Sequence, residues 1–146
     1  MTIAVLPDTA ALAARLRLGV TRLARRLRQE AEPGITPSML ATLSSVERHG
    51  PLTMSELCAV EQVQPPSMTR IVAALAEAEL VTRTTDEDDR RVVRVEVSSS
   101  GRRLLERARR RKEAYLAKAL RGLEPGEIET LEAAAAILER LTERRP

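Results

Sequence analysis

Apolar side chains recur at three- and four-residue spacing through most of the chain. The period switches once, after Leu80, to an alternation of two. Leu12, Leu16, Val20, Leu23 and Leu27 form the first helical stripe, with Asp8 placed to cap it. Residues 31–34, Ala-Glu-Pro-Gly, break that helix. Thr36-Pro37 opens the next one, with the hydroxyl as cap and proline at the first helical position, and Gly50-Pro51 ends it. Thr53-Met54-Ser55-Glu56 reads as a capping box and predicts a short helix through Leu57, Cys58 and Val60. Pro65-Pro66 restarts the chain into a helix carrying Met68, Ile71, Val72, Leu75 and Leu80. Two short helices joined by a tight connection make a helix-turn-helix pattern.

Val81-Thr82-Arg83 then predicts a short strand. A polar tip follows from Asp86 to Arg91, and Val93, Val95 and Val97 alternate with Arg94 and Glu96 as a second strand with one buried face. This hairpin is a wing. Ser98 caps a long helix that runs past Leu104, Leu105, Ala108, Tyr115 and Leu116 to about Gly122. Glu124-Pro125 starts the last helix, with Ile128, Leu131, Ala135, Leu138 and Leu141 on one stripe. The predicted fold class is mainly α with a small β-hairpin wing: a winged helix-turn-helix flanked by N- and C-terminal dimerisation helices. The expected organisation is a single domain over 1–146, with dimerisation helices at 8–30 and 102–146 and a DNA-binding region at 35–101. The two terminal stripes are too large for so small a winged helix to bury, so a homodimer is expected.

Composition narrows the chemistry. The 146 residues include no Phe, no Trp and only Tyr115, so the core is aliphatic and no platform exists for base stacking. Cys58 and His49 are single, which leaves no intrachain disulfide, no cysteine zinc site and no nucleophile–base set for an enzyme. No cofactor is expected. Met1–Leu6 is too short an apolar run for a signal peptide, and no stretch approaches a membrane span, so a cytoplasmic protein without membrane contact is expected. Cys58, on the apolar side of its helix beside Leu57, is expected to be a buried, inert thiol.

Charge is unevenly spread. Residues 1–30 carry +4, 31–64 carry −3, 65–101 carry −2, 102–121 carry +7 and 122–146 carry −3. The predicted DNA-reading unit is therefore itself acidic. The basic run from Arg102 to Lys112 is expected to pair with the glutamates of the last helix, Glu124, Glu127, Glu129, Glu132 and Glu139, within the chain or across a dimer, more than to touch DNA.

These elements, in this order, resemble the MarR family of dimeric winged-helix transcription factors. The resemblance is carried by Ile35-Thr36-Pro37, by Ser67-Met68-Thr69-Arg70, by Leu80-Val81-Thr82-Arg83, and by Asp86 to Gly101: Asp-x-x-Asp-x-Arg, alternating valines, then Ser-x-x-Gly. It spans about residues 8–143. Two positions depart from the family's pattern. Glu79 stands where a glycine is usual, which predicts a different ending for the preceding helix, and Glu87 follows Asp86 where proline is usual.

The resemblance implies a sequence-specific regulator of transcription, a repressor released by a small-molecule effector. Its partner would be double-stranded DNA with a palindromic operator. Gln64, Ser67, Met68, Thr69 and Arg70 would meet the major groove, since the start of the second helix enters it in helix-turn-helix proteins. Arg83, Arg90 and Arg91 would join them, with Asp89 orienting Arg91 toward the minor groove. An effector pocket would be aliphatic and arginine-rimmed, suiting a small anionic or amphipathic molecule. The acidic balance of residues 31–101 also allows a different class, a winged-helix module that binds protein and not DNA.

Overall fold

A computed structural model of the chain describes residues 8–143; the apolar run Met1–Leu6 lies outside them. The element order is α1 (Thr9–Gln29), α2 (Pro37–His49), β1 (Leu52–Thr53), α3 (Met54–Glu61), α4 (Pro65–Glu77), β2 (Val81–Thr85), β3 (Val93–Val97), α5 (Ser99–Leu120) and α6 (Pro125–Glu143). The chain divides into two compact units, one up to Arg111 and one from Lys112.

Local sequence accounts for most helix starts. Asp8 accepts the Ala10 amide at 3.0 Å, and Thr36 accepts that of Met39 at 3.2 Å. At α3 both halves of the capping box form: Thr53 Oγ1 accepts from the Glu56 amide, and Glu56 Oε2 accepts from the Thr53 amide at 2.7 Å. Gly50, with φ of 78°, ends α2 in a conformation that a side chain would strain.

In the first unit, α2, α3 and α4 enclose one aliphatic core with the sheet. Leu43, Val46, Leu57, Met68, Val72, Leu75 and Val95 are its most buried members. The sheet has three antiparallel strands in the order β1-β3-β2, not the two of a simple hairpin. Leu52 pairs with Val95 and Thr53 with Arg94. Val95 and Val97 face the core while Arg94 and Glu96 face out, as the alternation predicts.

The expected extension of the α4 helix to Leu80 and the expected change in its ending are both corrected. The helix stops at Glu77. Glu79 adopts the left-handed conformation, φ 58°, that glycine favours. The Leu80 amide donates to Leu75 O at 2.9 Å and the Glu79 amide to Ala76 O at 3.0 Å. These bonds define a Schellman ending built without glycine. Ser98 holds the turn from the other side: its hydroxyl donates to Glu79 O at 2.6 Å and its amide to Leu80 O at 3.0 Å. The native contacts thus impose a strained backbone on Glu79. Glu79→Gly is expected to stabilise the protein by roughly 1 kcal/mol, the penalty for a side chain in this region. Urea unfolding of the variant checks it, with a higher midpoint as the expected result.

The second unit holds the end of α5 and α6. None of the α6 residues is buried, and Ile128, Leu131, Ile137, Leu138 and Leu141 are exposed. In the first unit, α1 likewise buries nothing fully and exposes Leu12, Leu16, Leu18, Val20 and Leu23. Among the described residues no helix is long and apolar enough to cross a membrane.

Candidate nucleic-acid interface

The first turns of α4 bring Gln64, Ser67, Thr69 and Arg70 to one end of the unit. Pro65 and Pro66 start the helix, so Gln64 is its N-cap, and its exposed amide is not spent on capping. Arg70 is exposed and has no partner among the described residues. Thr69 is exposed, but its hydroxyl donates to Pro65 O at 2.9 Å, which leaves it acting as an acceptor. Ser67 is half-buried. Met68 is a correction: its side chain is fully buried between α4 and the rest of the core, so it cannot reach a base edge. Its apolar period within α4 identifies it as core, and its place in the Ser-Met-Thr-Arg run does not change that.

The wing supplies the second group. Asp86 folds its carboxylate back onto its own loop, where Oδ1 accepts from the Asp88 amide at 2.9 Å and the Asp89 amide at 3.2 Å. Oδ2 lies 3.7 Å from Arg94. This is the local turn chemistry of an Asp two residues before the amide it binds, and it turns one acid of the tip inward. Asp89 then grips Arg91 at three points: Oδ1 accepts from the Arg91 amide at 3.1 Å and from Nε at 3.0 Å, and Oδ2 accepts from Nη2 at 3.1 Å. The two-oxygen, two-nitrogen geometry fixes the plane of the guanidinium. Arg91 is otherwise exposed, its side chain 91% accessible. Arg90 is exposed beside it. Arg83 pairs in register with Val95, so it stands at the outer edge of the sheet face that packs on the helices.

The wing bonds shift the acids. The Arg91 guanidinium, then the Arg91 amide, hold the Asp89 carboxyl below its ordinary 3.8. The amides of Asp88 and Asp89 do the same for Asp86, helped by Arg94. Asp89 in turn raises Arg91. Because both acids are depressed, their contribution to wing order is complete at neutral pH and is lost only as pH falls below 3.8 through the folded-state values. Carboxyl NMR titration is expected to place both midpoints below 3.8 in the native protein. In Arg91→Ala the Asp89 midpoint should rise while that of Asp86 stays.

Arginines of the basic run on α5 find acids within their own unit. Arg107 Nε donates to Glu32 Oε1 at 2.9 Å, Arg109 pairs with Glu47, and Arg110 Nε donates to Glu106 at 3.1 Å. Arg111 Nε lies 3.2 Å from Glu32 Oε2, a buried oxygen that makes no hydrogen bond. Arg111 also donates to Ala31 O at 3.3 Å. Glu32, in the break between α1 and α2, thereby ties that connection to α5. Sequence reading missed this role, because no local pattern marks Glu32. Cys58 is half-buried and not sealed in the core; it lines a hollow of about 290 Å³ with Met54, Ser55, Pro65 and Thr69. No group of three or more metal-ligating side chains that could hold an ion occurs among the described residues.

A helix-turn-helix whose second helix presents polar side chains, beside a β-hairpin tipped with an oriented arginine, defines a winged-helix protein. The sequence model of the MarR family matches residues 35–93. An HTH-type transcriptional regulator of Mycobacterium bovis is 37% identical over 97% of this chain and 100% of its own length. The HTH-type transcriptional repressor MdtR of Bacillus subtilis is 34% identical over 47% of this chain and 44% of its own. The crystal structure of a transcriptional regulator from Pseudomonas aeruginosa superposes with a TM-score of 0.83 at 35% identity, covering 96% of this chain and 99% of that one. The chain belongs to the MarR family of helix-turn-helix transcriptional regulators.

Proposed function

We propose that this regulator is a repressor that binds a palindromic double-stranded operator as a homodimer and leaves it when a small anionic or amphipathic molecule binds. The observation that carries the DNA reading is the wing tip, where Asp89 spends both carboxylate oxygens on aiming Arg91 out of the fold. A solvated turn needs no such fixation. Gln64, Thr69 and Arg70 would read the major groove, with Ser67 beside them, while Arg91 and Arg90 enter the minor groove and Arg83 meets phosphate. The repressor part of the reading draws on MdtR, which is named as one.

The dimer rests on the two unpartnered apolar stripes, on α1 and on α6. We take residues 8–30 and 102–146 as the dimerisation elements, within a single domain that spans the chain. A two-fold pair of winged helices would meet major grooves about one helical turn apart, which calls for an imperfect palindrome. The test is quantitative binding to DNA from the chain's own upstream region. Arg70→Ala should weaken specific binding roughly tenfold and relax preference at one base position. If wild-type protein binds that DNA no better than unrelated sequence, the protein-docking alternative gains instead. Light scattering at micromolar concentration should give a dimer.

A further inference from the structure

The reading end of the winged-helix unit holds a hollow as well as polar side chains. It measures about 290 Å³ and lies between the start of α3 and the start of α4. Met54, Ser55 and Cys58 line it from α3, and Pro65 and Thr69 line it from α4. Ser55, Pro65 and Thr69 are exposed, so the hollow opens outward at the end where Gln64 and Arg70 stand. Met54 and Cys58 are half-buried and pack against the aliphatic core, which fixes the floor. No charged side chain lines it.

Thr69 adds an apolar group to this lining. Its hydroxyl donates to Pro65 O at 2.9 Å, one turn back along α4. That bond spends the hydroxyl proton and turns Oγ1 onto the helix backbone. The other branch on Cβ, the Cγ2 methyl, is what Thr69 offers to the outside. The lining is therefore a thioether, a thiol, a pyrrolidine ring and a methyl, against the Ser55 hydroxyl. Such a surface is poorly suited to an anion or an amide and well suited to a small apolar group. Among the four standard bases, only thymine projects one into the major groove, its C5-methyl.

We propose that the α3–α4 hollow is a subsite for the C5-methyl group of one thymine in each operator half-site. Thr69 Cγ2 and the Pro65 ring are its walls, and Met54 and Cys58 are its floor. The hollow is larger than one methyl group, and the pyrimidine edge that carries the methyl takes up the mouth. The proposal rests on the operator reading of α4 and deepens it: Thr69 discriminates through its methyl and not its hydroxyl, while Gln64 and Arg70 supply hydrogen bonds alongside. Because the methyl itself is read, cytosine methylated at C5 is accepted there better than plain cytosine.

The test begins with operators selected from random double-stranded DNA by the full chain. Single thymines in them are then replaced by deoxyuridine, which lacks only the C5-methyl. At one thymine per half-site the replacement should weaken binding about fourfold, the worth of burying one methyl group. At the same position 5-methylcytosine should bind about fourfold better than cytosine. Two variants at exposed Thr69 separate its methyl from its hydroxyl. Thr69→Val keeps the methyl and should keep the preference for thymine over uracil. Thr69→Ser keeps the hydroxyl and should lower that preference. Ser55→Leu fills the hollow from an exposed position and should abolish the preference with the urea midpoint of wild type. Specific binding by the wild-type chain with no thymine sensitive to uracil overturns the subsite and leaves the operator reading standing. A Thr69→Ser or Ser55→Leu protein that keeps the full preference, or a Thr69→Val protein that loses it, also overturns the subsite. Selection that enriches no sequence overturns the operator reading and the subsite with it.

Discussion

Replacing Gly101 by alanine is expected to destabilise the fold by about 3 kcal/mol, at the upper end for overfilling a packed site. Helix propensity alone predicts the opposite sign, since alanine is favoured over glycine by about 1 kcal/mol within a helix. The contact decides. A Cβ at this position would stand 2.2 Å from Leu80 O, 2.9 Å from Val97 Cγ2 and 3.2 Å from Leu43 Cδ1. A side-chain methyl such as Val97 Cγ2 can rotate away, but the Leu80 carbonyl is backbone, and it already accepts the Ser98 amide at 3.0 Å. Relief therefore requires the first turn of α5 to lift off the end of α4. That displacement breaks the Ser98 bonds and opens the core at Leu43 and Leu104. Urea unfolding should show the loss, or the variant should fail to accumulate as soluble protein. A Gly101→Ala protein as stable as wild type would mean that α5 does not pack as closely as described.

Arg91→Ala is expected to weaken operator binding by roughly ten- to a hundredfold, the range for a specific contact. The loss should grow with A·T content under the wing, because a narrow minor groove supplies the attraction. Asp89→Ala distinguishes orientation from bulk charge. Removing an acid near phosphates should tighten binding if only net charge matters. Here Asp89 fixes Arg91 through its amide, Nε and Nη2, so the variant should instead reproduce part of the Arg91→Ala loss. The readout is equilibrium binding of both variants and wild type to one operator at two salt concentrations. Tighter binding by Asp89→Ala sinks the orienting role.

The wing also shows why some of the interface was legible before the structure and some was not. The Asp89–Arg91 spacing places both side chains within one turn, so their meeting depends on two residues of local geometry. Gln64, Thr69 and Arg70 were readable because Pro65-Pro66 marks where α4 begins. Met68 sits among them in sequence, yet the helix rotates it into the core. Four consecutive positions cannot share one helix face, and the apolar partners at Val72 and Leu75 decide which of the four turns inward.

Sequence by itself determined what neighbours along the chain can settle: the helical stripes, the caps at Asp8, Thr36, Thr53 and Ser98, and the alternation of Val93, Val95 and Val97. Each depends on bonds or spacing within four residues. Only the tertiary structure decided the features that join distant segments. Strand β1 is two residues long and shows no alternation; it exists because β3, some 40 residues on, offers free hydrogen-bonding groups beside it. Glu32 finds Arg107 75 residues away. Glu79 takes a left-handed turn against its own preference because Ser98 and the Schellman bonds hold it there. Gly101 is indispensable only because Leu80 approaches it. Local propensities amount to about 1 kcal/mol or less per residue. Close packing and satisfied buried bonds outweigh them wherever two distant segments meet.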